Sequence, residues 1–302
     1  MRGKITGHLA ALLVIIAWGT SFISTKVLME DASLTPVEVY IYRFVIAYVV
    51  LLAFTFKKIF SQSWRDELQF LMSGVCAGSL FFILENTSLQ YTTTGNVSLL
   101  SCMSPMITAA LMALFYKLRI GAGLIIGSMI ALVGVVCIIF SHGEGFEINP
   151  LGDLLALSSS FVWALYAVGI KRLIPLYSSM FITRKLFFYG VVTACPLLWI
   201  AHAPTHLDVL FSHSSFIINL LFLAIFCSLL AYLLFNYAMK SLGSVAANNY
   251  LYLQPLVTMI VAYFALGEII TLPGYIGCVL IIGGLIISDK LKVKRSLHQV
   301  RK

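Results

Sequence analysis

Residues 120–143 read IGAGLIIGSMIALVGVVCIIFSHG, a stretch with no charged side chain. An apolar segment of about 20 residues is long enough to cross a lipid bilayer as an α-helix. Similar segments recur along the whole chain of 302 residues, which is 60% hydrophobic and only 11% charged. A typical soluble domain carries about 25% charged residues. The composition therefore excludes a soluble globular domain and a disordered chain, and it predicts an integral membrane protein.

The apolar segments on either side of this stretch predict an all-α membrane protein with ten transmembrane helices around a central cavity. The expected ranges are 8–28, 36–56, 67–89, 94–115, 121–140, 152–172, 179–200, 215–238, 245–266 and 273–288. The connections are a few residues long and leave no room for a soluble domain. Residues 290–302 follow the last helix as a basic tail.

The distribution of lysine and arginine predicts the orientation of the helices. Most of the 20 basic residues lie before the first helix, in alternate connections and in the tail. Short connections rich in these residues stay in the cytoplasm. We therefore expect a multi-pass protein of the cytoplasmic (inner) membrane with both termini cytoplasmic. The net charge of +8 reflects this asymmetry, so the expected partners are the lipid bilayer and a small-molecule substrate, with no nucleic acid.

The two halves of the chain are similar in sequence. Near the N-terminus a shift of 145 residues pairs Trp18 with Trp163 and Lys26 with Lys171. Between residues 84 and 134 a shift of 150 residues aligns the halves without a gap. The pairs aligned by the larger shift include Asn86/Asn236, Pro105/Pro255, Thr108/Thr258, Gly127/Gly277 and Gly134/Gly284. We assign the two repeats to residues 6–141 and 150–289.

Each repeat contains five predicted helices, so the second copy enters the membrane from the opposite side. The copies are then related by a pseudo-twofold axis in the membrane plane. Many secondary transporters have this arrangement, with the substrate site near the midplane between the repeats. The duplication therefore predicts a carrier that works by alternating access.

Several ordered motifs resemble one known family. The first copy contains Trp18-Gly19-Thr20-Ser21-Phe22, then Asn96-Val97-Ser98-Leu99-Leu100 and Pro105; the second contains Asn236-Tyr237-Ala238, Pro255 and Leu266-Gly267-Glu268. Over residues 6–288 these motifs resemble the drug/metabolite transporter superfamily, in its ten-helix EamA-type branch. The first copy departs from the pattern, because Lys117-Leu118-Arg119 stands where the second has Glu268.

The resemblance implies a secondary, ATP-independent transporter of a small metabolite and not an enzyme. An amino acid or related compound, often exported, is the commonest substrate of this branch. Two alternatives stay open: an intramembrane lipid-modifying enzyme, and a transporter of a phosphorylated or sugar metabolite as in other branches.

Polar residues line one face of the fourth helix and the equivalent face of the ninth. Ser98, Ser101 and Pro105 follow helical spacing, as do Asn248 and Pro255 in the second copy. Proline frees a carbonyl inside a helix, which is tolerated in a membrane where a neighbour or a cavity satisfies the backbone. We interpret Pro105 and Pro255 as helix kinks beside a polar cavity; close packing of small residues is the alternative.

Aromatic and polar side chains at similar depth complete the expected site. Trp18 and Trp163 lie deep in the first and sixth helices and would provide flat cavity walls. The predicted substrate-binding residues are Trp18, Ser21, Asn86, Ser98, Ser101, Trp163, Tyr166, Asn248 and Tyr252. No metal site or cofactor is expected, and a monomer is expected, with a homodimer through the glycine-rich fifth and tenth helices as the alternative.

Charged residues inside the predicted spans are candidates for gating or a charge network. They are Lys26, Glu38, Arg43, Glu85 and Arg184. Stabilising ion pairs and solvation at helix ends are the alternative. Glu85 is also a candidate proton carrier, so proton coupling is open. Arg184 and its basic neighbours have no carboxylate in the same helices, which predicts a positive inner vestibule.

Overall fold

The computed structural model describes residues 2–56, 59–88, 90–92, 94–141, 149–200, 209, 211–266 and 271–299. Within these residues the protein is helical and contains no strand, which confirms the all-α prediction. In chain order the helices are α1 (Arg2–Lys26), α2 (Pro36–Thr55), α3 (Trp64–Gly74), α4 (Leu80–Ser88), α5 (Thr94–Ser101), α6 (Ser104–Tyr116), α7 (Ala122–Ser141), α8 (Pro150–Ile170), α9 (Ser179–Ile200), α10 (Ser214–Phe222), α11 (Ala231–Leu242), α12 (Ser244–Asn249), α13 (Gln254–Leu266) and α14 (Leu272–Gln299).

Eight helical stretches of the described chain are long and apolar enough to cross a membrane. They are Gly3–Met29, Pro36–Thr55, Trp64–Ser88, Asn96–Tyr116, Ala122–Phe140, Pro150–Ile170, Ser179–Leu198 and Ser214–Leu242. A shorter apolar helix covers Leu272–Ser288. The predicted ninth span corresponds to two short helices, α12 and α13, instead of one long helix. The count of ten spans therefore stays a prediction.

Side chains that accept backbone N–H groups mark where several helices begin. The Thr35 hydroxyl accepts from Glu38 N at 3.2 Å, and the Glu38 carboxylate accepts from Thr35 N at 2.8 Å. This reciprocal pair is a capping box, and Pro36 occupies the first position of α2. Asn149 caps α8 in the same way, through Gly152 N at 3.1 Å.

Two of the long spans are interrupted at matching places in the two halves. A π-helical turn, Val75–Ser79, separates α3 from α4, and another, Leu223–Leu230, separates α10 from α11. Pro105 is the second residue of α6 and follows a break after Ser101. Pro255 is the second residue of α13 and follows a 3-10 turn, Tyr250–Leu253. In the first turn of a helix the missing proline N–H breaks no hydrogen bond, so both prolines mark junctions between helical segments.

Glycines bring α7 and α14 into close contact. Gly127 lies against the backbone of Gly284, and Gly134 lies against Gly277. The order is reversed along the two helices, so they cross in antiparallel directions. Small residues let helix backbones approach closely in membranes. The described contact is therefore within the chain, as the sequence favours.

The helix ends gather at two faces. At the face we call proximal, the Thr6 and Tyr237 hydroxyls are 2.8 Å apart, and Gln62 N donates to Tyr177 at 2.8 Å. At the opposite, distal face, the Thr92 hydroxyl donates to Asp153 at 2.9 Å. The distal face also carries an apolar group that we call the distal cluster: Leu28, Ala32, Leu34, Val39, Phe216, Leu220, Leu223 and Cys227.

Candidate substrate cavity

A cavity of about 180 Å³ opens among the distal halves of α1, α2, α4 and α5. The second half of the chain completes its walls through α8, α11, the 3-10 turn and α13. Its lining residues are Trp18, Ser21, Thr25, Val39, Tyr40, Arg43, Phe81, Phe82, Glu85, Asn86, Val97, Ser98, Ser101, Cys102, Ser104, Trp163, Tyr232, Leu251, Gln254, Pro255 and Thr258. Both halves thus contribute to one cavity.

The structure brings together most of the residues that the sequence singles out. Of the predicted substrate-binding residues, the cavity is lined by Trp18, Ser21, Asn86, Ser98, Ser101 and Trp163. Of the predicted charge network, Arg43 and Glu85 line the cavity. Of the two predicted helix kinks, Pro255 lines it and Pro105 does not.

Aromatic rings form the proximal end of the cavity, which we call the aromatic floor. The Trp18 and Trp163 rings meet edge to face with centroids 5.4 Å apart. Phe235 lies 5.2 Å from Trp18 and 5.6 Å from Trp163, and Tyr232 lies 5.8 Å from Trp18. The Trp18 Nε1–H donates to the Cys227 carbonyl at 3.0 Å, which fixes the ring against the second half. The floor offers flat apolar surface to a bound molecule.

Three predicted binding residues lie behind this floor. Trp163 Nε1 donates to Asn248 Oδ1 at 2.9 Å, so Asn248 holds the indole instead of lining the cavity. The Tyr166 hydroxyl donates to Asn236 Oδ1 at 2.9 Å, and Asn236 Nδ2 donates to Thr183 at 3.0 Å. Tyr252 is buried among core residues. These side chains support the floor in this structure.

Arg43 carries the positive charge of the cavity. Its Nε–H donates to Ser228 Oγ at 2.8 Å, and its Cζ lies 5.3 Å from the ring centroids of Phe44 and Phe82. A guanidinium has five N–H donors. Among the described residues the Ser228 bond uses one of them, so the two terminal nitrogens keep theirs for another acceptor.

Glu85 is the acidic residue of the same cavity. Its Oε1 accepts one long hydrogen bond from Ser101 Oγ, at 3.4 Å. Within the described part of the chain, neither Glu85 nor Arg43 belongs to a direct ion pair. A charge removed from water is costly unless a partner compensates it. The cavity therefore holds one basic and one acidic side chain that are not paired with each other, so each can bind a group of opposite charge.

The other predicted charges lie elsewhere. Glu38 sits in the capping box of α2, where Tyr42 also donates to it at 3.2 Å. Arg184 donates to the Thr55 hydroxyl at 3.1 Å and to the Ile59 carbonyl at 3.1 Å, which ties down the end of α2. The Lys26 side chain lies outside the described residues.

Some lining residues escape sequence reasoning. Phe81 and Phe82 precede Glu85 and Asn86 by one helical turn, so their spacing is a usable signal. Tyr40, Thr25, Ser104 and Gln254 have no comparable signal. Within the described residues no group of three His, Cys, Asp or Glu side chains is placed to hold a metal ion.

Comparison with known proteins agrees with this architecture. A transporter of Clostridium kluyveri named as uncharacterized is 28% identical over 93% of this chain and 92% of its own. One from Archaeoglobus fulgidus is 30% identical over 86% of this chain and 89% of its own. YicL of Salmonella typhimurium, named an uncharacterized inner membrane transporter, is 23% identical over 93% and 94%.

A crystal structure of another protein shares the fold, with a TM-score of 0.76 at 19% identity over 94% of this chain and 96% of that chain. A model of the EamA-like transporter family matches residues 5–140 and again residues 150–288. These two matches cover nearly the whole chain and confirm the resemblance seen in its motifs. The chain is a multi-pass membrane protein and belongs to the EamA-like transporter family.

Proposed function

We propose that this protein is a secondary transporter that exports a small zwitterionic metabolite, an amino acid or related compound, by alternating access. The observation that carries the proposal is the presence of both Arg43 and Glu85 in one cavity above an aromatic floor. A carboxylate binds a guanidinium through charge-assisted hydrogen bonds. An ammonium group binds the Glu85 carboxylate, and the apolar part of the substrate lies on the rings of Trp18 and Trp163.

The pattern of helix contacts supports ten spans arranged as two inverted repeats. α1 packs against α11, and the equivalent helices α8 and α4 pack against each other. α2 packs on the π turn Leu223–Leu230, as α9 packs on the π turn Val75–Ser79. α6 packs on α8, as α13 packs on α1. Contacts that recur with the two copies exchanged are expected of a pseudo-twofold axis, and such an axis permits opening to either face.

The proposed orientation places the proximal face in the cytoplasm, because that face carries the basic connections. Export then means loading from the proximal face and release at the distal face. We propose a monomer as the working unit, since one chain supplies every wall of the cavity. The cycle needs no cofactor; coupling to protons through Glu85 is tested by imposing a proton gradient on the flux.

The composition of the cavity disfavours the alternatives. Phosphorylated substrates carry more than one negative charge, and the described cavity offers the single cation Arg43 beside an acid. Its lining contains no histidine to pair with a serine for acyl transfer. The relatives compared above are named as transporters. A carrier is therefore better supported than a lipid-modifying enzyme.

The test compares metabolites in medium and cell extract of cells producing the intact protein or single variants at equal membrane abundance. Arg43→Gln and Glu85→Gln each remove one charge of the cavity. Arg65→Gln is the matched control, because Arg65 is exposed on α3. We expect one or a few zwitterionic compounds to accumulate outside with the intact protein and the control only.

The expected size of the effect follows from the lost contact. A hydrogen bond to a charged group contributes about 1.5–3 kcal/mol, which corresponds to a loss of roughly 10- to 150-fold in affinity. The affinity is measured as the concentration dependence of flux in membrane vesicles. Unchanged flux in Arg43→Gln, or no compound that depends on the intact protein, contradicts the proposal.

A further inference from the structure

A second set of charges lies at the proximal face, away from the cavity. The Glu67 carboxylate forms an ion pair with Lys185 and accepts a hydrogen bond from the Tyr189 hydroxyl. It also accepts from Ser61 N at 3.1 Å. The side chains of Lys185 and Glu67 are only 6% and 14% exposed. This ion pair is therefore largely removed from solvent, although it lies near a helix end.

Neighbouring contacts repeat the same connection between the two halves. Asp66 accepts from Arg172 at 2.9 Å and from the Tyr177 hydroxyl at 2.8 Å. Arg184 donates to the end of α2. In each case a residue of the first family match contacts a residue of the second. The predicted positive inner vestibule therefore also contains acidic side chains. They come from α3, a different helix from the one that carries Arg184 and Lys185.

The equivalent positions at the distal face have different chemistry. A shift of 150 residues relates Asp66 to Phe216 and Phe70 to Leu220, and a shift of 145 relates Arg184 to Val39. Phe216, Leu220 and Val39 all belong to the apolar distal cluster. The charged Asp66 and Arg184 therefore correspond to the apolar Phe216 and Val39, although Glu38, beside Val39, is a buried acid.

The aromatic floor separates the Glu67–Lys185 pair from the cavity. On the proximal side of the floor, Tyr166, Asn236 and Thr183 form a hydrogen-bonded chain, and Thr183 lies on α9 two residues before Lys185. On the same side of the floor, α12 packs against α6. The ion pair between α3 and α9 joins a residue of the first family match to one of the second, and the proposed alternating access requires the two repeats to move relative to each other.

We propose that the Glu67–Lys185 pair is a latch that holds the proximal face closed while the cavity is accessible from the distal face. The inference rests on the proposed alternating access. Removing one partner leaves a buried charge without compensation in the closed state, whereas in the open state water solvates that charge. Loss of one partner therefore shifts the population toward the proximal-open state.

The test measures solvent access to two reporter cysteines, Thr183→Cys below the floor and Ser98→Cys in the cavity. Each is introduced into full-length protein whose six native cysteines are replaced by alanine. A membrane-impermeant maleimide is applied to vesicles of either orientation. The latch variants are Glu67→Gln, Lys185→Met and the double variant. Arg65→Gln is the matched control, because Arg65 is exposed on α3.

We expect each single latch variant to raise labelling of Thr183→Cys from the proximal face at least tenfold and to lower labelling of Ser98→Cys from the distal face. The double variant, which leaves no charge unpaired, is expected to label more slowly than either single variant. The control is expected to stay within twofold of the parent. Labelling that rises at both faces, that is unchanged in the single variants, or that rises equally in the control overturns the latch.

Failure of the latch and failure of the transport proposal give different results. Reciprocal changes in labelling without any transported zwitterion support the latch as a gate and refute the substrate class. Transport that responds to Arg43→Gln, with labelling unaffected by Glu67→Gln and Lys185→Met, supports the substrate class and refutes the latch.

Discussion

Replacing Gly284 with alanine is expected to destabilise the protein, whereas the same change at the adjacent Gly283 is not. A Cβ atom at Gly284 would contact the Gly127 carbonyl and lie 2.7 Å from Ala131 N. These are backbone atoms of α7, so no side-chain rotation relieves the overlap and the two helices must separate. A Cβ atom at Gly283 meets nothing within 4 Å.

The neighbouring positions separate the two energy contributions. Both substitutions stabilise the folded protein by about 1 kcal/mol through helix propensity, because alanine replaces glycine inside α14. Only Gly284→Ala adds the cost of overpacking, about 1–3 kcal/mol. The variants should therefore differ in stability by about 1–3 kcal/mol. At roughly 2–4 °C per kcal/mol for domains of 150–250 residues, their midpoints should differ by about 2–12 °C.

The assay heats purified protein in detergent and measures the fraction that stays monodisperse by size exclusion. Gly127→Ala should behave like Gly284→Ala, since it meets Gly284 from the other helix. The loss of stability in the double variant Gly127→Ala, Gly284→Ala should be smaller than the sum of the two single losses, because the helices need to separate only once. Equal midpoints for Gly283→Ala and Gly284→Ala, or a lower midpoint for Gly283→Ala, would refute the crossing as the cause.

Two further substitutions test predicted site residues that do not line the cavity in this structure. Tyr166→Phe leaves Asn236 Oδ1 buried without its donor. We expect a stability loss of about 0.6 kcal/mol, the average for hydrogen bonds between membrane helices, and at most about 1.7 kcal/mol, with no change in substrate affinity. A loss of affinity at full thermal stability would return Tyr166 to the binding site. Glu38→Ala removes the glutamate half of the capping box with Thr35 and should cost about 0.5–1.5 kcal/mol, the net contribution of one hydrogen bond, again with unchanged affinity. An affinity change in vesicle flux, with the unfolding midpoint unaltered, would make Glu38 part of the substrate pathway instead.

The helices were predictable because the bilayer imposes a strong constraint: a span must be long, apolar and internally hydrogen-bonded. The same constraint makes lining residues hard to identify. Phe82 and Tyr232 point into the cavity, yet their sequence context does not distinguish them from rings that face lipid. Trp18 and Trp163 were identifiable only because the two halves align.

Depth was the harder quantity to predict. Tyr166 follows Trp163 by three residues and shares its helix face, but the aromatic floor closes between it and the cavity. The depth of Glu38 in its helix predicts that it belongs to a charge network. The sequence Thr35-Pro36-Val37-Glu38 also carries the threonine and glutamate spacing of a capping box, and that local signal explains its position.

The two copies differ at positions that make the proximal and distal faces of the protein unequal. Trp18 and Trp163 are the same residue in both copies, whereas Glu85 corresponds to Phe235 and Asp66 to Phe216. A carrier with identical halves would populate its two open states equally. Different side chains at the two faces make these states unequal in free energy, and under our proposal the Glu67–Lys185 latch sets which face opens at rest. It does not set the direction of net flux, because a conformational bias alone does no work on the substrate. Export therefore requires a substrate gradient or a coupled ion. If Glu67→Gln reverses the resting state while net flux still follows the gradient, the bias and the driving force are separate.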